Sequence, residues 1–111
     1  MKFNKGDLVL VNFPYSNLSS IKTRPALVIK DLSEQNFLIA QITAKINPHF
    51  DNYEIFLSQK DCNDALRTDS IIRCDFLTTL NKNLIIKKLG SITNKSVISE
   101  VFSKLKLMLF D

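Results

Sequence analysis

Tryptophan is absent from this chain, histidine occurs once, glycine and cysteine twice each and proline three times in 111 residues. So little glycine and proline excludes a collagenous or low-complexity chain, and with no Pro/Gly-rich stretch there is no sign of a linker between domains. One domain over residues 1–111 is the expectation. Cys62 and Cys74 lack C-x-x-C spacing and are too few for a disulfide framework, so they read as reduced thiols. A lone His49, two separated cysteines and no clustered carboxylates argue against a zinc or magnesium site, and no cofactor is expected. Apolar runs such as Ala26 to Ile29 fall far short of the ~20 residues that cross a bilayer. Met1-Lys2-Phe3-Asn4-Lys5 carries no signal-peptide pattern, so a soluble, cytoplasmic protein is expected, with no membrane partner.

What is present is a core in short pieces. Hydrophobic residues make up 45% of the chain, enough for a chain of this length to fold without a staple. Fifteen Lys and Arg against eleven Asp and Glu give a formal charge of +4, which favours polyanionic partners without requiring them. Lys82, Lys87, Lys88, Lys104 and Lys106 read equally well as a solvated face.

The apolar residues come in β-branched and aromatic bursts parted by polar turns, the pattern of a small antiparallel barrel. Strands are expected over Asp7 to Phe13, Ala26 to Lys30, Phe37 to Thr43, around Tyr53, Ile55 and Leu57, over Ser70 to Leu80, and over Leu84 to Ile92 with an interruption at Gly90. Tyr15 to Thr23 is polar and aperiodic, which predicts a long exposed loop. Asp61 to Leu66 suits a short helical turn. A period of two over Ser70 to Leu80 predicts Cys74 and Phe76 on one face and Arg73, Asp75 and Leu77 on the other. The period then lengthens to about 3.6: Val97, Ile98, Val101, Phe102, Leu105, Met108 and Leu109 form one helical stripe, capped by Thr93 or Asn94.

The segments Gly6 to Pro14, Arg24 to Ile29, Gln41 to Ala44 and Ser70 to Leu80, in this order and at these separations, resemble the MazF/PemK family of type II toxin-antitoxin endoribonuclease toxins. The likeness spans nearly the whole chain. It implies an SH3-like small antiparallel barrel with a C-terminal helix, mainly β with α, acting as a homodimer. It also implies sequence-specific, metal-independent cleavage of single-stranded RNA and neutralisation by a cognate antitoxin protein. The first loop departs from the family, because Asn17-Leu18-Ser19-Ser20-Ile21 stands where many members have glycine.

Cutting RNA without a metal uses the 2′-hydroxyl as nucleophile, so a site needs in-line geometry, a proton acceptor and cationic donors for the charge growing on the phosphoryl oxygens. Arg24, at the mouth of a strand after the long loop, suits the last role because its planar fork holds two phosphate oxygens while staying charged. Thr43 ends an Ile- and Leu-rich strand, where a hydroxyl either closes a local backbone bond or points at a ligand. The resemblance implies that Arg24 and Thr43 are the catalytic pair, and that Arg73 and Asp75 take part, with Asp75 a candidate acceptor for the 2′-hydroxyl proton. Read as residues alone, Arg73 and Asp75 are as readily a rim ion pair. His49 falls in an expected loop, which weakens it as a base.

RNA stacks on aromatic faces and follows basic tracks. Tyr15 is the expected stacking platform and Lys22, Lys45 and Arg67 the track, while Phe13 and Phe76 are expected in the core. Two other functions stay open: a non-catalytic nucleic-acid-binding barrel, and a toxin of the same fold that poisons DNA gyrase, as CcdB-type relatives do.

Overall fold

The computed structural model describes residues 2–14, 21–46 and 52–111. Strands β1 (Asp7–Pro14), β2 (Ile21–Asp31), β3 (Asn36–Thr43), β4 (Glu54–Leu57), β5 (Ser70–Asn81) and β6 (Ile85–Ser91) precede one helix, α1 (Lys95–Phe110). Every strand pairing is antiparallel, in the order β4-β5-β3-β2-β1-β6. This is the expected antiparallel β architecture with a terminal helix; among the described residues β4 and β6 are the outer strands, an open arrangement compatible with the small barrel.

Both faces of the sheet are covered, which explains the near-continuous apolar runs in β1 and β2. On one face Leu8, Leu27, Ala40, Ile42, Ile55 and Ile72 pack with Val97, Val101 and Leu105 of α1. On the other, Val9, Val11, Phe13, Ala26, Val28 and Ile39 pack with Phe3, Phe37 and Leu80. Truncating a fully buried member such as Ile72 to Ala is expected to cost about 2–5 kcal/mol. Helix α1 starts where Asn94 Oδ1 accepts the Ser96 amide at 3.0 Å, and Asn94 Nδ2 donates to Asp61 Oδ1 at 2.9 Å. That second bond chiefly holds the Asp61 carboxyl below its ordinary range. Asp61 belongs to a 3-10 turn (Gln59–Cys62), so the helix start is tied to the segment leading into β5.

Several expectations change. Strand β2 begins at Ile21 instead of Ala26, because Lys22 and Thr23 pair with Phe13 and Asn12 of β1 and continue the ladder through polar sequence. In β4 Ile55 and Leu57 are buried as expected, but Glu54 is buried too, its carboxylate 3.9 Å from Arg73 across the β4–β5 pairing, while Phe56 is exposed. Phe76, expected in the core with Cys74, is 44% exposed. Its strand bulges, since Gln41 pairs with Arg73 while the preceding Ala40 pairs with Leu77, so Cys74, Asp75 and Phe76 lie between consecutive partners and the period of two breaks there. Leu109 leaves the helical stripe at 58% exposure. Lys82, which the sequence allows equally on a solvated face, is buried in a 3-10 turn (Lys82–Leu84) and donates to Asp31 Oδ1 at 2.6 Å.

Candidate nucleic-acid interface

Pro25 decides the geometry at one end of the sheet. It has no N–H to donate, and the β2–β3 ladder starts only at the next residue, with Ala26 opposite Gln41. Before that point β2 stays with β1, Arg24 pairing with Val11, while β3 runs on with β5, Thr43 pairing with Ile71. The sheet therefore splits into β6-β1-β2 and β3-β5-β4, with Arg24 on one lip and Thr43 on the other. Continued across the split, the β2–β3 register sets these two residues level. They share strand parity with Ala26 and Ile39, hence a face.

An open cavity of about 510 Å³ occupies the split, and Arg24, Arg67 and Lys87 are among the residues that line it. Its apolar floor is a cross-strand row in which Leu10 pairs with Pro25 on one side and Lys87 on the other, with Ile42 beyond. Residues 65–68 form the facing wall. Gly90 permits this approach, since a Cβ there would lie 2.7 Å from Ala65 Cβ. No Asp or Glu occurs among the described residues of the lining. Arg67 and Lys87 form no ion pair among the described residues.

Thr43 Oγ1 accepts the Lys45 amide at 3.2 Å, which is the local backbone bond foreseen for it. A hydroxyl that accepts in this way keeps its own proton to donate. Arg73 grips Asp75 with two bonds, Nε to Oδ1 at 3.3 Å and Nη2 to Oδ2 at 3.0 Å. The Arg73 Nε also lies 3.9 Å from Glu54 Oε2, so one guanidinium faces two carboxylates. Burial, reinforced by the Asp75 charge, pushes the neighbouring Cys74 thiol up to about 12 and leaves it no thiolate chemistry at neutral pH.

Of the track residues, Arg67 reaches the cavity wall, while Lys22 and Lys45 are exposed on the β2 and β3 sides of the split. Tyr15 and His49 lie outside the described residues. Lys87 and the floor residues Leu10 and Pro25 escaped the sequence reading. Lys87 looked like one of several solvated lysines, and only its pairing with Leu10 marks it. Among the described residues no three His, Cys, Asp or Glu side chains gather as metal ligands. No helix there is long and apolar enough to cross a membrane.

Residues 4–109 match the family described as PemK-like, MazF-like toxins of type II toxin-antitoxin systems. The chain belongs to that family. Among solved MazF-like structures, MazE–MazF from Deinococcus radiodurans superposes with a TM-score of 0.74 at 20% identity, over 96% of this chain and 94% of that one. A mycobacterial endoribonuclease in complex with its cognate antitoxin gives 0.73 at 16% identity, over 95% and 92%. Mycobacterium tuberculosis toxin MazF-mt6 gives 0.64 at 16% identity, over 89% and 94%. At such identities the superpositions establish the MazF-like fold, a largely antiparallel sheet with one C-terminal helix. No curated protein matches the chain in sequence.

Proposed function

We propose that this MazF-family toxin is a single-domain, metal-independent endoribonuclease that cuts single-stranded RNA by attack of the 2′-hydroxyl on the adjacent phosphate. The observation that carries the reading is the level placement of Arg24 and Thr43 on one sheet face, either side of the point where the β2–β3 pairing stops. Arg24 stabilises the charge growing on the phosphoryl oxygens, and Thr43, oriented by the Lys45 amide, donates a hydrogen bond to an oxygen of the same phosphate. Asp75 takes the 2′-hydroxyl proton, held in place by Arg73. The P–O5′ bond breaks as the 2′-oxygen bonds to phosphorus, and the departing 5′-oxygen takes a proton from solvent, giving a 2′,3′-cyclic phosphate and a 5′-hydroxyl. Lys22, Lys45 and Arg67 steer the RNA backbone to the split, and Tyr15 stacks a base. The solved relative described as an endoribonuclease with its cognate antitoxin supports both the activity and the inhibitor.

The protein works as a homodimer, for which the exposed Leu107, Leu109 and Phe110 at the end of α1 supply an apolar patch. Its antitoxin reaches the same cationic split with an acidic segment that folds on binding. Two gels test the activity. Purified protein should cut labelled RNA and leave DNA intact in the presence of gyrase. Intact RNA at every protein concentration would instead indicate a binding module, and cleaved DNA a gyrase poison.

A further inference from the structure

We propose that Gln41 is a further catalytic residue, its Nε2 amide group donating a hydrogen bond to a non-bridging oxygen of the phosphate that Arg24 and Thr43 hold. This rests on the ribonuclease reading and adds to it a residue that joins the phosphate-holding pair to the Arg73–Asp75 pair.

Strand register places Gln41 between the two pairs. It lies two residues before Thr43 on β3, and side chains alternate along a strand, so both project from one face about 7 Å apart. On one side its cross-strand partner is Ala26, two residues beyond Arg24 on β2; on the other it is Arg73. One row of direct partners therefore runs through Ala26, Gln41, Arg73 and Glu54 across β2, β3, β5 and β4. The next row on the same face holds Arg24 and Thr43. A 2′-hydroxyl that gives its proton to Asp75 while attacking a phosphate held by Arg24 and Thr43 brings the reacting atoms over the side chain between the two pairs, which is Gln41.

The fold leaves that side chain available. Gln41 is half-exposed, whereas its chain neighbours Ala40 and Ile42 are fully buried on the other face. Among the described residues no hydrogen bond uses its carboxamide. The residue type also fits. A carboxamide carries two N–H donors and does not titrate, so it can serve the phosphate without pairing with Asp75 as a lysine or a charged histidine would. The Arg73 guanidinium directly opposite favours the amide oxygen turned towards β5, which leaves the N–H groups for the phosphate on the Arg24 side. No proton leaves Gln41. It shares a hydrogen bond with an oxygen on which charge grows as the 2′-oxygen bonds to phosphorus.

The test uses the full chain and one RNA with a mapped cut site, made with all-oxygen phosphate or with either phosphorothioate diastereomer at the scissile position. Sulfur accepts hydrogen bonds weakly, so each diastereomer probes one non-bridging oxygen. Gln41→Ala removes the donor, and Gln41→Glu keeps its size while setting a carboxylate against the phosphate. Gln41 is half-exposed, so both variants should fold, which circular dichroism and melting curves would verify. At saturating enzyme, Gln41→Ala should slow single-turnover cleavage of all-oxygen RNA by about 10²-fold with the half-saturating concentration nearly unchanged, as loss of a donor used only in the transition state does. Gln41→Glu should be slower still. In Gln41→Ala the sulfur penalty of the wild type should shrink by about tenfold for one diastereomer and persist for the other, the coupling expected of a direct contact. A wild-type rate in either variant, no sulfur penalty in the wild type, or slower cleavage with both penalties unchanged would overturn the role while leaving the nuclease reading intact. RNA left uncut by the wild type would reject the nuclease reading, and this role with it.

Discussion

Two ends of this small sheet hold basic side chains beside a cavity, and they treat charge in opposite ways. At one end Lys82 is buried, its ammonium 2.6 Å from Asp31, and Asp31 also accepts the Phe3 amide at 2.8 Å. The Lys82 hydrogen bond, followed by that of the Phe3 amide, holds the Asp31 carboxyl below its ordinary range. Asp31 and Glu34 both line the cavity there. At the split, Arg67 and Lys87 stand exposed beside a lining with no carboxylate among the described residues. A cation neutralised within the fold serves the fold, because a buried charge must be compensated before it can be tolerated. A cation left at a rim without an acidic neighbour is available to an anion from outside. The contrast supports the proposal that the split is the functional end, with the Lys82 end serving the fold.

The largest expected effect lies at the split. Arg24→Ala should lower RNA cleavage by about 10³-fold or more, as loss of a charge-stabilising arginine does in other phosphoryl-transfer sites. Thr43→Ala should lower it by about 10²- to 10³-fold, the cost of one donor to a developing oxyanion. Gel assays of both variants, with melting curves close to wild type, would separate chemistry from folding. A wild-type rate in Arg24→Ala would erase the distinction between the two ends.

Gly90→Val comes next, and it links stability to the site. A Cβ at 2.7 Å from Ala65 forces the 65–68 wall away from β6, an overpacking expected to cost about 1–3 kcal/mol. Urea denaturation should show the loss, and RNA binding should weaken because the wall carries Arg67. Full stability in this variant would mean that the wall is not seated by Gly90.

The smallest effect belongs to the other end. The folded chain favours the Asp31 carboxylate, so its contribution is present above the ordinary value of 3.8 and fades as pH falls through the lower folded value. Melting curves of wild type and Asp31→Asn should therefore differ at neutral pH and converge in acid, with RNA cleavage at neutral pH alike in both. A gap that stayed constant with pH would contradict the role given to the Lys82–Asp31 pair.

How much of this was legible in the sequence depended on the range of the interactions. The strands, the terminal helix, its Asn94 cap and the place of Thr43 at the end of β3 follow from local period and punctuation, whereas Arg24 lies inside β2 and not at its mouth. Phe76 was misassigned because a bulge depends on the partner strand, and its own sequence alternates without interruption. Glu54 was misassigned because its burial depends on Arg73, nineteen positions away along the chain. The cavity left the least trace. Its floor joins residues of β1, β2 and β3, its rim adds β6, and its wall comes from the segment before β5. Pro25 and Gly90 were visible as punctuation, but what each one opens or admits is settled only by what lies opposite.

The claim that the chain's own groups cut RNA through its 2′-hydroxyl is tested most directly by one digestion. Purified protein in excess EDTA would be given two end-labelled RNAs, identical except for a single 2′-deoxy nucleotide at the mapped cut site. The account predicts cleavage of the unmodified RNA to a 2′,3′-cyclic phosphate and a 5′-hydroxyl, and no cut at that position in the other. Cleavage of the deoxy-substituted RNA at the same bond, or activity that vanishes in EDTA and returns with magnesium, would contradict it.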